Sequence, residues 1–140
     1  MRFSRFLSPA LLLALAACGG DNGGNPGTPT DPTQSSHNAG RDCLQCHNLS
    51  VAGTVYRENG STYPGAVVRI TSEPGGAGDV LLSLTADASG NFYTDQPVSW
   101  GGGLYTDATG ASGTPRSMEA SISSGACNSC HAGGTRIRAD

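Results

Sequence analysis

Val51-Ala52-Gly53-Thr54-Val55-Tyr56, then Glu58-Asn59-Gly60, then Tyr63-Pro64-Gly65-Ala66-Val67-Val68-Arg69-Ile70-Thr71 is the stretch that decides how this chain folds. Two runs rich in β-branched and aromatic residues are separated by Asn-Gly and Pro-Gly pairs, which suit tight turns between strands. The spacing predicts strands over Val51 to Tyr56 and Ala66 to Thr71, the second with Val67 and Arg69 on one face and Ala66, Val68 and Ile70 on the other. Further along, Glu73 to Gly78 reads as a glycine-rich loop and Val80 to Thr85 as a strand in which Val80, Leu82 and Leu84 alternate. Asp87-Ala88-Ser89-Gly90 is a turn, and Asn91 to Thr94 is a strand carrying Phe92. Strands are also expected over Val98 to Trp100, Gly103 to Asp107 and Arg116 to Ile122. Short strands at this regular spacing indicate a mainly β fold with little helix, a small antiparallel β-sandwich over residues 51–123.

On either side of that body stand Cys43-Leu44-Gln45-Cys46-His47 and Cys127-Asn128-Ser129-Cys130-His131. Each is a C-x-x-C-H, the signature of covalent c-type haem attachment. Two thiols three positions apart reach the two vinyl groups of one porphyrin, and the adjacent imidazole lands on the iron. Together the motifs use every cysteine except Cys18 and two of the three histidines. The expected cofactors are two covalently bound haem c, held through Cys43, Cys46, Cys127 and Cys130, with His47 and His131 as iron ligands. Residues 37–50 and 124–140 are then haem segments flanking the sandwich. The composition fits a body that needs such staples: 36% of residues are hydrophobic, 6% aromatic, and 21 are glycine.

A low-spin haem takes a second axial ligand, and few residues remain to supply it. His37 is the one unassigned histidine and lies six residues before Cys43. That short reach makes the opposite face of the same haem awkward, so His37 is expected on the second haem or on a haem of a neighbouring molecule. Met118, nine residues before Cys127, is the one methionine beyond Met1. It reads equally well as a thioether ligand, which raises a haem's potential, and as a packing residue. Three histidines do not furnish bis-His ligation at both haems of one chain. Arg41 and Arg116 lie near these ligands in sequence, where a guanidinium pairs well with a propionate. Trp100 reads as a packing residue.

Residues 1–17 form a secretory signal, with Arg2 and Arg5 as the charged start and Pro9 to Ala17 as an apolar run too short to span a bilayer. Residues 18–36 form a tether, because Gly19 to Ser36 lacks apolar periodicity and is dense in glycine and proline. The formal charge is −3, and −5 once Arg2 and Arg5 are removed with the signal. Lysine is absent and the remaining arginines are scattered, which argues against a nucleic-acid groove or a polybasic membrane patch.

Two resemblances add to this reading. Leu15-Ala16-Ala17-Cys18 resembles the lipobox of bacterial lipoproteins, which implies acylation of Cys18 and, with Gly19 following it, an outer-membrane lipoprotein facing the periplasm or the cell exterior. The run Gly53 to Tyr56, the run Pro64 to Ile70 and Thr85-Ala86-Asp87-Ala88-Ser89-Gly90-Asn91-Phe92-Tyr93 resemble the carboxypeptidase regulatory-like, transthyretin-like β-sandwich, a module that implies a scaffold and no catalytic activity. Bracketed by two C-x-x-C-H motifs, the whole resembles small exported dihaem c-type cytochromes. The resemblance implies transfer of single electrons to redox partner proteins, membrane attachment through lipidated Cys18 and no substrate chemistry. Three alternatives stand beside it. One is a haem enzyme with an open iron, peroxidase-like or reducing a small molecule. Another is a filament in which His37 of one chain ligates a haem of the next. The last is a haem-free β-sandwich binding protein with zinc or disulfides at the four cysteines. An odd or even number of strands leaves open whether the two motifs lie together or at opposite poles.

Overall fold

The computed structural model describes residues 33–140, so the signal, Cys18 and the tether up to residue 32 lie outside the described residues. The chain is mainly β, with two sheets and little helix. Strand β1 spans Val51–Tyr56, β2 Val67–Thr71, β3 Val80–Thr85, β4 Asn91–Thr94, β5 Tyr105–Thr109, β6 Pro115–Ser117, β7 Gly125–Ala126 and β8 Ile137–Arg138. One four-residue helix, α1, covers Cys127–Cys130, and a 3-10 turn covers Cys43–Gln45.

One sheet has the order β3-β2-β5-β6 and is antiparallel throughout. The other is built on β1, which pairs antiparallel with β4 along one edge. Along its other edge β1 pairs in parallel with β7 at Val51 and Ala52, then with β8 at Val55 and Tyr56. The flanks of the second C-x-x-C-H segment thus complete the sheet that the first strand begins. Within residues 51–123 the strand pairings are antiparallel, as expected, and the two parallel pairings come from residues 125–138, where no strand was expected.

The expected faces hold in β2, where Ala66, Val68 and Ile70 are buried and Val67 and Arg69 lie partly open. They enclose the core with Val51, Val55, Leu84, Phe92, Leu104 and Ala108. In β3 the alternation fades toward its start, where Val80 and Leu81 are half exposed. Val98 to Trp100 forms no strand. Pro97 removes a ladder donor before it, and Gly102 and Gly103 take positive φ after it, yet Val98 and Trp100 still pack on the core from the loop. Gly103 likewise delays β5 to Tyr105. The strand expected over Arg116 to Ile122 is cut to β6 and an isolated bridge between Leu104 and Ile122.

Across β2 and β5, Arg69 faces Asp107 and donates from Nε and Nη2 to its two carboxylate oxygens at 2.9 and 2.8 Å. Asp107 is buried, whereas the Arg69 side chain is one-third open to water. The two halves of this pair are therefore unequal. Arg69→Ala strands a buried carboxylate and is expected to cost about 3 kcal/mol. Asp107→Ala leaves an arginine that can turn to solvent and is expected to cost roughly 1 kcal/mol less or better. Urea unfolding midpoints of the two variants measure the order.

Candidate functional site

The two motifs lie together, and β1 is the reason. All six of its residues are buried, which requires cover on both faces. Val51 and Val55 face the core. Ala52, Thr54 and Tyr56 point the other way and are covered by the chain leading into the first motif. There Gly40, at φ 80°, donates its N–H to Thr54 Oγ1 at 2.8 Å, and a side chain at Gly40 would strike the Tyr56 hydroxyl, 2.6 Å from an added Cβ.

Thr54 is the junction. Its hydroxyl donates to Asn91 Oδ1 at 2.6 Å and accepts from Gly40 N–H and, at 3.0 Å, from Asn128 Nδ2. Its backbone N–H donates to Asn128 Oδ1 at 3.1 Å. Asn128, an inner residue of the second C-x-x-C-H, is buried and also donates to the carbonyl of Arg41 at 2.8 Å, two residues before Cys43. The second motif is thereby hydrogen-bonded to the entrance of the first. Gly53 permits the close approach, since a Cβ there would lie 2.9 Å from Cys127 Cβ and 2.4 Å from the Phe92 ring.

The end of the tether is tied to the same cluster. Buried Asp87 accepts from the N–H of Ser36 at 2.9 Å and from its hydroxyl. Asn91 Nδ2 donates to Ser36 Oγ at 2.9 Å and to the carbonyl of His37 at 3.4 Å. Gln34 accepts from Ala88 N–H at 2.9 Å. Residues 34–36, read as flexible tether, are thus pinned to the turn at residues 87–91. A turn then follows in which Arg41 N–H reaches the carbonyl of Asn38, a residue at φ 58°. It folds the chain back so that the rings of His37 and His47 stand 5.7 Å apart at 54°. His37 therefore stands beside the histidine of the first motif.

In the second motif, His131 Nδ1 donates to the carbonyl of Thr135 at 2.6 Å, and its Nε2 faces Met118 Sδ at 3.5 Å. Met118 is set there by β6, beyond which its N–H still bonds to the carbonyl of Thr106 at 2.8 Å. A cavity of about 470 Å³ opens beside this pair, within the usual range for a cofactor-sized ligand. Its lining includes Cys127, Cys130, His131, Met118, Phe92 and Ile122. Arg116, Arg136 and Arg138 also line it, so cationic groups stand beside an apolar wall. Arg116 already pairs with Glu58 at 2.6 Å and Asp140 at 3.2 Å, and Arg136 lies over the Tyr56 ring. Arg41 is exposed and contributes its carbonyl to the junction.

Burial pushes the Cys127 thiol up to about 12, with Cys130, Cys43 and Asp42 adding to the shift. Burial, then Asp42, raises Cys43 as well. These positions disfavour a thiolate, whereas an uncharged thioether carries no such desolvation cost. Cys43, Cys127 and Cys130 are free, so neither C-x-x-C closes on itself. Among the described residues no group of three or more His, Cys, Asp or Glu is gathered to hold a metal ion.

The residues that sequence reasoning missed are Thr54, Asn91, Asp87 and Asn128, with Arg136 and Arg138 at the cavity. A signal existed in Asn128, a small polar residue with both donor and acceptor capacity inside a C-x-x-C. Comparison with known protein families, curated proteins and solved structures finds no match.

Asn128→Ala removes three hydrogen bonds and leaves the Thr54 N–H and Arg41 carbonyl without their partner. The expected loss is about 3 kcal/mol, read as a lowered unfolding midpoint. Asn128→Asp keeps the acceptor for Thr54 N–H but sets a buried carboxylate oxygen against the Arg41 carbonyl, and is expected to lose at least as much.

Proposed function

We propose that this protein is an exported, lipid-anchored dihaem c-type cytochrome that passes single electrons between redox partners and transforms no substrate. The observation that carries the reading is that two C-x-x-C-H segments, far apart in sequence, are hydrogen-bonded to each other through Asn128 and Arg41. In each of them the histidine has a second potential iron ligand against it.

The residues fit the group. Cys43 and Cys46, and Cys127 and Cys130, are the attachment thiols, and His47 and His131 are the proximal ligands. When bound, each haem supplies a one-electron iron couple in which no proton or bond need change hands. The chain's own part is positional. Thr135 fixes the His131 tautomer and leaves Nε2 free to bind iron, a support typical of ligating histidines. Arg116, Arg136 and Arg138 offer guanidinium groups to propionates. The Thr54 junction holds the two attachment segments side by side, which favours exchange of electrons within one molecule. Cys18 and the signal, read from sequence alone, supply export and the anchor, and Ser36, where the tether ends, is pinned to Asp87.

Full-length protein made in a host competent in cytochrome c maturation is expected to carry two haems per chain in a pyridine haemochrome assay. It should also incorporate fatty acid at Cys18. Colourless protein, or fewer than two haems, would count decisively against the reading.

A further inference from the structure

The contact between His131 and Met118 is chemically odd. A carbonyl oxygen has no proton to give, so the bond from His131 Nδ1 to Thr135 O places the ring proton on Nδ1. In the neutral imidazole Nε2 then presents a lone pair to Met118 Sδ, itself an electron-pair donor, at 3.5 Å. Two donors aimed at each other gain nothing from the contact. An electron-pair acceptor between them converts it into a pair of bonds, and the flexible thioether can retreat to admit one. The cavity with Cys127 and Cys130 lies against the same pair.

The first motif repeats the arrangement with different atoms. His37 is held by the Ser36, Asp87 and Asn91 cluster and by the turn at Asn38, and its ring comes 5.7 Å from that of His47. Both imidazoles are exposed, so burial does not drive them together.

Building on the function proposed above, we infer that the two haems have unlike axial pairs drawn from the same chain, His37 with His47 at the first motif and Met118 with His131 at the second. Thioether ligation raises a haem's potential above that of a bis-imidazole haem. The first haem is therefore the lower-potential site and the second the higher. A donor of low potential is matched to the His37 end and an acceptor of higher potential to the Met118 end. With both second ligands supplied internally, neither iron keeps an open coordination site, and no neighbouring molecule is needed to complete either one.

The test uses full-length holoprotein, followed by visible absorption, low-temperature EPR and redox titration, each at high and at low protein concentration. The wild type is expected to show two low-spin haems, a thioether-to-iron band at the red end of the spectrum and two separate one-electron waves, all independent of dilution. Met118→Ala should abolish the band and make one haem high-spin. Met118→His should abolish the band, keep both haems low-spin and move the upper wave downward. His37→Ala should make the other haem high-spin and leave the band in place. Haem content per chain, measured on every variant, separates ligand loss from failure to fold, and the low-spin Met118→His variant provides the same control. Two haems with spectra unchanged by both alanine variants would overturn the ligand assignment while leaving the cytochrome reading intact. Conversion to high spin on dilution would overturn it too, by showing that a ligand comes from another molecule. Fewer than two haems in the wild type would overturn the reading on which it rests.

Discussion

One hydroxyl holds this molecule's functional end together. Thr54 Oγ1 makes one donated and two accepted hydrogen bonds, the full capacity of a hydroxyl group, and does so while fully buried. Its three partners come from three parts of the chain: Asn91 from the sandwich, Gly40 from the approach to the first C-x-x-C-H, and Asn128 from inside the second. A buried polar group is costly when unpaired, so such a cluster forms completely or at considerable expense. Among the described residues no buried side-chain nitrogen or oxygen lacks a partner, and the cluster meets that condition. The placement of both motifs follows from satisfying this one site.

The sandwich therefore does more than separate two C-x-x-C-H segments. The β2, β3, β5 and β6 sheet supplies a core against which β1 can bury Val51 and Val55, and this frees the other face of β1 to receive the approach to the first motif, while Cys127 of the second packs at Gly53 beside the core. Gly53 and Gly40 mark the two places where a side chain would interfere, one against Cys127 and Phe92 and the other against Tyr56. Both glycines sit where backbone approach matters more than strand propensity.

How much of this was legible in the sequence varies with the range of the interaction. The strands from Val51 to Thr94 follow from local alternation and turn residues, and their faces come out as read for Val67 to Ile70. Elements set by distant partners were hidden. Gly125–Ala126 and Ile137–Arg138 are too short to show any period, and they become strands only because β1 offers an unpaired edge. The four cysteines and two adjacent histidines were plain from spacing, but their proximity was not, since it depends on side chains of Thr54, Asn91 and Asn128 that no motif records. The approach of His37 to His47 was hidden because a count of residues treats the chain as extended, while Asn38 at positive φ and the Asp87 clamp bend it back sharply.

The parallel pairing of β1 with β7 and β8 also bears on the order in which the molecule is made. Val51 to Tyr56 gains its second edge only from residues 125–138, and Ala139, buried, donates its N–H to the Tyr56 carbonyl. Contacts of such long sequence separation form slowly because the intervening loop must first be closed. A nascent chain therefore cannot complete this sheet until its last segments have emerged. Until then both cysteine pairs flank a sheet whose second edge is still open.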